Sequence, residues 1–398
     1  MGNPRTRRKR LAALCLAGLL WACNRPDHAA EPVVNESPRA APAVAGASAT
    51  PAYLELWQTY RQRFIRDGRV LDMDNGGISH SEGQGYGMLL AEAAGDRQTF
   101  DQLLAWTQTH LARADGLFAW RYAPCSAGLD RAAIAAATGR PADSADATDC
   151  ITDPNNASDG EILIAWALLK AGERWQSPDY TAAARRIATA LQPLIVQRHQ
   201  HSLLLPGLQG FDHPQADGDG RVVVNLSYWI FPALDALARH FPDQGWQALA
   251  DSGLALLRAA RFGAHQLPPD WLEIDGPAAS DMRPASGFEP VYGFNAVRIP
   301  LHLVWGRQRW TEQDLAPYLG WWTTKPDEGY AAWVNLQDGS EAGYRASAGV
   351  RGIARLATAR ATHQQLDIAS WPPPGEEDGY FSWSLALLAR IAAQESAK

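Results

Sequence analysis

The stretch GQGYGMLLAEAA, residues 83–94, decides how this chain is read. It has the length of a helix but is small and apolar nearly all round, and a helix apolar on every side is buried on every side. Five more stretches share that character: EILIAWALLKAG (161–172), SYWIFPALDALA (227–238), NAVRIPLHLVW (295–305), YRASAGVRGIARLA (344–357) and YFSWSLALLARIAA (380–393). Between them lie helices of another kind, with one polar and one apolar face: AYLELWQTYRQRFI (52–65), TFDQLLAWTQTHLA (99–112), DYTAAARRIATALQPLIVQ (179–197), GWQALADSGLALLRAARF (245–262) and TEQDLAPYLGWW (311–322). Strand signals are few. The alternation predicts an all-α fold, an (α/α)6 barrel of six inner and six outer helices with a few short strands in loops. The sixth outer helix, near 358–369, has the weakest pattern.

In such a double ring the inner helices all begin at one end. Helix N-termini carry unpaired N–H groups and partial positive charge, so that end gathers polar groups into a cleft. The residues at the inner-helix starts include Ser79–Glu82, Asn155–Asp159, Asn225–Tyr228, Tyr292–Asn295, Glu341–Arg345 and Asp378–Tyr380. Ser81, Ser158, Ser227 and Asn295 suit N-caps. Capping does not explain the aromatic residues, nor Glu82 among Gly83, Gly85 and Gly87. Each glycine costs about 1 kcal/mol in a helix interior, so three imply a close approach of backbones or of substrate.

The 398 residues, 46% of them hydrophobic, can bury a large core, and a net charge of -7 gives no nucleic-acid surface. The 16 tryptophans suit a sugar cleft as well as a core. Residues 1–23 read as an export signal, basic and then apolar but too short to span a bilayer. The run LLWAC ending at Cys23 resembles a lipoprotein cleavage box, which would lipidate Cys23 and anchor the protein to a membrane. The other reading is ordinary secretion, with a cut nearer Ala29–Ala30. Residues 24–50 read as a flexible linker and 51–398 as the folded domain. The expected location is the periplasm or the medium, or the outer membrane if Cys23 is lipidated. Of the four cysteines, Cys125 and Cys150 fall in the folded part, where export favours a disulfide. Neither lies in a metal-ligand cluster, so no metal is expected.

The motifs DGRVLDMDNGGISHSEGQGYGMLLA, LFAWRY, DPNNASDGEILIAWALLKAG, NLSYWIFPAL, PVYGFNAVRIPLHLVWG and GYFSWSLALLA resemble, in order, those of glycoside hydrolase family 8. The resemblance runs from about Tyr53 to Ala393. It implies endo-acting hydrolysis of β-1,4-glucan with inversion, no cofactor, a polysaccharide as partner, a monomer, and a link to bacterial cellulose production. Inversion needs two carboxyl groups roughly 6.5–9.5 Å apart, one donating a proton and one activating water. The match makes Glu82 the acid, a residue otherwise readable as a helix-dipole partner. It puts Asp159 in the central sugar subsite, where an N-cap is the plainer reading, and Arg298 beside a carboxylate. Tyr86, one turn after Glu82, would face the same cleft. Trp120 and Tyr228 are candidate sugar platforms or core residues.

The base is where the chain departs from the family. Many members carry Asp in a motif like S-Y-D-A-I-R-V, and here the matching residue is Asn295. A neutral amide does not deprotonate water at useful rates. Three outcomes follow. An acid of the preceding loop serves, among Asp270, Glu273, Asp275, Asp281 and Glu289, with Glu289 first and Asp281 next. Or Asn295 holds the water while an acid elsewhere, such as Asp153, takes the proton. Or activity is weak, leaving a glucan-binding envelope protein. Chitosan or mixed-linkage glucan are the alternative substrates.

Overall fold

The computed structural model describes residues 50–398, apart from 127, 143–147, 216–217, 307–309, 325–328 and 396–398. The leader and linker expected over 1–49, with Cys23, lie outside the described residues. Twelve helices are described: α1 Pro51–Phe64, α2 Ser81–Ala94, α3 Arg97–His110, α4 Arg131–Thr138, α5 Ser158–Trp175, α6 Pro178–Ala190, α7 Phe231–His240, α8 Trp246–Ala259, α9 Ile299–Trp305, α10 Glu312–Trp322, α11 Ala348–Ala361 and α12 Tyr380–Glu395.

The apolar helices make a closed circuit. α2 packs on α5, α5 on α7, α7 on α9, α9 on α11, α11 on α12, and α12 returns to α2. The amphipathic helices lie against them: α1 on α2 and α12, α3 on α2, α6 on α5, α8 on α7 and α10 on α11. The burial of α5 and α12 shows why their sequences lack a polar face. Every residue from Ser158 to Leu169 is buried, as is every residue from Ser382 to Ala393.

Several element ends differ from expectation for local reasons. The helix expected over 179–197 stops at Ala190. Pro193 sits in a 3-10 turn, and 195–198 then pairs as a strand with 201–204. Pro232 and Pro300 fall in the first turns of α7 and α9, where a missing N–H is harmless, and 3-10 turns precede both helices. No separate outer helix follows α11 among the described residues. Thr362 caps α11, His363 turns left-handed at φ 52°, and only the 3-10 turn Ile368–Ser370 intervenes before α12. The eight-residue α4 was not expected.

Two small sheets shape the cleft end. Ser79–His80 pairs with Arg121–Pro124, which pairs with Asp149–Asp153, so the stretches leading into α2 and α5 flank one shared strand. Cys125 and Cys150 are joined by a disulfide at the edge of this sheet. The second sheet holds Asp212–Gln215, Gly218–Val224, Leu272–Ile274 and Met282–Pro284, all antiparallel.

Candidate active site

The start of α2 is capped by a histidine. The His80 side chain accepts from the Gly83 N–H at 3.1 Å, one residue upstream of the serine that sequence suggested. Ser158 spends its hydroxyl on the Leu205 carbonyl, and Asn225 rather than Ser227 caps the turn before α7. Two of the expected caps are thus displaced by one or two residues, and α5 and the turn at Asn295 have no side-chain cap.

Glu82, in the first turn of α2, faces a cleft of about 680 Å³ lined also by Asp72, Asp74, His80, Trp120, Asp159, Tyr228, Asn295, Arg298 and Tyr380. Its Oε1 accepts from the Tyr86 hydroxyl at 3.0 Å and from Arg298 Nη1. With both donors on Oε1, a proton on Glu82 belongs on Oε2, the oxygen 3.8 Å from His80 Nδ1. That nitrogen already accepts the Gly83 N–H, so neutral His80 carries its hydrogen on Nε2, 3.6 Å from Asp72.

Arg298 ties the helix starts together. Besides Glu82 it donates to Asp159 Oδ2 at 3.3 Å, Ser227 Oγ at 2.9 Å and Asn295 Oδ1 at 2.9 Å. Its guanidinium lies 5.9 Å from the Tyr228 ring centre. Burial lowers the Arg298 pKa to about 10, which leaves it charged at neutral pH. Asp159 is fully enclosed, and burial raises its carboxyl to about 8. Glu161, two residues on, is raised to about 8 by the same cause. It accepts from the Phe118 N–H at 2.9 Å and Asn156 Nδ2 at 3.2 Å, and so fastens the segment just before Trp120 to α5. Burial pushes His302, on the helix behind Arg298, down to about 3 and keeps it neutral, so Arg298 meets no second charge from that side.

Asn295 is fixed from both ends. Its Oδ1 accepts from Asn225 Nδ2 and Arg298 Nη2, both at 2.9 Å, and its side chain also bonds the Asp270 carboxyl. Asp270 Oδ1 accepts the N–H groups of Gly293 and Ala296 at 2.9 and 2.8 Å. It is buried, raised by that burial, and not part of the cleft lining.

The structure thus brings Glu82, Asp159, Trp120, Tyr228, Asn295 and Arg298 to one cleft, with Tyr86 just behind Glu82. It does not bring Glu289 there. Glu289 is exposed on the loop after the 282–284 strand, beside the exposed Phe288. Nor does Asp153 line the cleft; it accepts from the Asn155 N–H in its own turn. Sequence reading placed His80 at the start of α2 without a role and missed Asp72 and Asp74, whose one signal was position in the DMDNGGISH run just before the acid.

The same cleft continues on two sides. One lobe, of about 660 Å³, shares Asn75, Ile78 and Arg121 with it. The other, of about 460 Å³, shares Asp74, Phe294 and Phe381. Among the described residues no group of three or more His, Cys, Asp or Glu is placed to hold a metal ion.

The model of glycosyl hydrolases family 8 matches residues 32–395. The chain belongs to this family. A probable endoglucanase of Novacetimonas hansenii is 35% identical over 357 residues, covering 88% of this chain and 94% of that relative. An endoglucanase of Cellulomonas uda is 36% identical over 303 residues, or 75% of this chain and 76% of the relative. Among solved structures, endoglucanase Cel10 of Klebsiella pneumoniae, a family 8 enzyme, superposes with a TM-score of 0.73 at 33% identity, covering 86% of this chain and all (100%) of that one. The endo-β-1,4-glucanase CMCax of Acetobacter xylinum gives a TM-score of 0.73 at 32% identity, over 87% of this chain and 99% of that one. Family 8 membership makes the chain a glycoside hydrolase, and the acid-lined cleft is where that chemistry has room.

Proposed function

We propose that this family 8 enzyme is an endo-acting β-1,4-glucan hydrolase that inverts the anomeric centre, with Glu82 as proton donor. One observation carries the reading: Glu82 lines the cleft with Oε1 held by Tyr86 and Arg298, which leaves Oε2, 3.8 Å from His80 Nδ1, as the oxygen for the proton. A donor must present one fixed oxygen to the leaving glycosidic oxygen, and this arrangement does so. Asp159, neutral through burial, holds ring hydroxyls in the central subsite. Trp120 and Tyr228 give it apolar walls. Asn295 positions the water. The closed circuit of six helices supports an (α/α)6 barrel, and the leader-like first residues support export, with Cys23 as a lipid anchor in one variant of that route. A place beside bacterial cellulose production follows from the family resemblance of the sequence motifs.

The test is reducing-sugar release from carboxymethylcellulose, mixed-linkage glucan and chitosan. Release is expected from the first. Glu82→Gln should lose roughly 10²–10⁴-fold in kcat while still being retarded by glucan in an affinity gel. Full activity in that variant would remove Glu82 from the role, and activity on chitosan alone would change the substrate.

A further inference from the structure

Inverting hydrolysis needs a second carboxylate to take the proton of the attacking water, and Asn295 supplies none. Resting on the hydrolase reading above, we propose that Asp74 is that general base, acting on a water held at Asn295.

Four carboxyl groups line the cleft: Asp72, Asp74, Glu82 and Asp159. Glu82 is the donor. Asp159 is enclosed, engaged by Arg298 and the Gly160 N–H, and protonated at neutral pH. Asp72 is buried; its Oδ2 accepts from Asn75 and faces His80, and against the pull of burial those contacts lower its proton affinity, which makes it the weaker acceptor. Asp270, the acid nearest Asn295, spends its carboxyl on backbone N–H groups and is shut out of the cleft. Asp74 differs from all of these. It is exposed, and its carboxylate makes no hydrogen bond among the described residues.

Its place is nevertheless fixed. It sits in the 3-10 turn Met73–Asn75, with Oδ2 packed against the α-carbon of Gly379 so closely that any side chain there would overlap it. Asp74 and Phe294 both stand where the central cleft meets the smaller lobe, and Asn295 follows Phe294 directly. Partial burial and the neighbouring Asp72 raise the proton affinity of Asp74, against the pull of Arg63 on α1. Glu377 and Asp378, just before α12, line the lobe on the same side. A base with somewhat raised affinity is the better acceptor.

The step balances. The water oxygen bonds to the anomeric carbon on the face opposite the leaving group, and its proton passes to the Asp74 carboxylate. The electrons of the breaking C–O bond go to the leaving oxygen, which takes the proton of Glu82 Oε2. Solvent exchange then returns a proton to Glu82 and removes one from Asp74.

The experiment uses the full-length protein with cellopentaose. Asp74→Asn should lower kcat by at least about 100-fold with KM within about threefold of the parent. Asp74→Ala in sodium azide should regain cleavage and give the α-glycosyl azide, because an anionic nucleophile needs no base. An active parent whose Asp74→Asn variant keeps its rate, or an Asp74→Ala variant that azide does not restore, overturns the assignment. A parent that releases no sugar from any glucan overturns the hydrolase reading itself, and this assignment with it.

Discussion

Arg298 holds Glu82 and Asp159 at one point of the cleft, where the starts of α2, α5 and α9 meet. Glu289 shows the limit of reading a site from its motifs. It lies six residues before Asn295, yet Leu272–Ile274 pairs with Met282–Pro284 and turns the chain so that Asp270, 25 residues before Asn295, is the acid beside it. Distance along the chain is a poor guide to contact in a loop that forms its own hairpin. The 161–172 pattern predicted a buried helix, although acids at its start also read as caps. The burial of the Asp159 and Glu161 carboxyls has a consequence for pH. Unfolded, these carboxyls release their protons near pH 4; folded, each does so near 8. The folded state therefore binds more protons in between, and their contribution to stability, full below pH 4, is lost as pH rises through about 8. Neutral His302 works the other way, but only between about pH 3 and its unfolded value of 6.5. Thermal unfolding should thus show Tm falling from pH 6.5 to 8.5, with Glu161→Gln flattening the fall by about half. A parent Tm that is level or rising across that window would contradict the burial argument.

At the scale of elements, the sequence showed that α2 must be crowded, but not by what. The glycines answer to different neighbours. A Cβ on Gly85 would lie 2.6 Å from Leu163 Cβ on α5, one on Gly87 would lie 2.8 Å from Val70 Cγ2, and one on Gly83 would lie 2.9 Å from the Tyr380 hydroxyl on α12. The reciprocal contact comes from α5, where a Cβ on Gly160 would lie 2.2 Å from Ser81 Oγ and 2.9 Å from the Glu82 amide nitrogen. The first turns of the two helices thus touch through backbone, and this sets the depth of Glu82 in the cleft. Gly160→Ala should cost about 1–3 kcal/mol by overpacking, more than the roughly 1 kcal/mol of helix propensity it gains. It should also lower kcat, because the backbone of Glu82 must move. Gly352→Ala in α11 is the control: its Cβ would meet nothing nearer than 3.7 Å, so it should be neutral or slightly stabilising with unchanged kcat. Urea unfolding and kcat on carboxymethylcellulose check both, and equal effects of the two substitutions would remove the contact from the explanation. Helix ends were less legible than helix existence, because the 3-10 turns that follow α6 and precede α7 and α9 leave the apolar pattern used to find the helices undisturbed.

For the whole molecule, the alternation of two helix types was enough to predict a ring, because burial on all sides leaves an apolar helix no other place. It could not predict how far the cleft extends, since that depends on loops and small sheets with no periodic signal. The cleft is open on both sides of Glu82, toward Arg121 and the disulfide-edged sheet in one direction and toward Phe294, Tyr344 and Phe381 in the other. Phe294 and Tyr344 are 54% and 55% exposed, which is unusual for large apolar rings and suits the stacking of sugar faces. A cleft closed at one end would admit only chain ends and shorten glucan one unit at a time. A cleft open at both ends lets a chain lie across Glu82 and be cut in its interior. The two modes separate when viscosity and reducing ends are followed together during digestion of carboxymethylcellulose. Internal cutting should halve the viscosity before about a few per cent of the bonds are broken, as expected when each cut divides a long chain, whereas release from ends should lower viscosity only in step with sugar release. Alanine at both Phe294 and Tyr344 should weaken use of long chains more than of short ones, because each ring offers roughly 1–3 kcal/mol of stacking to a unit that only a long chain can place there. Viscosity falling only in proportion to reducing ends would mean that one side of the cleft is closed to substrate.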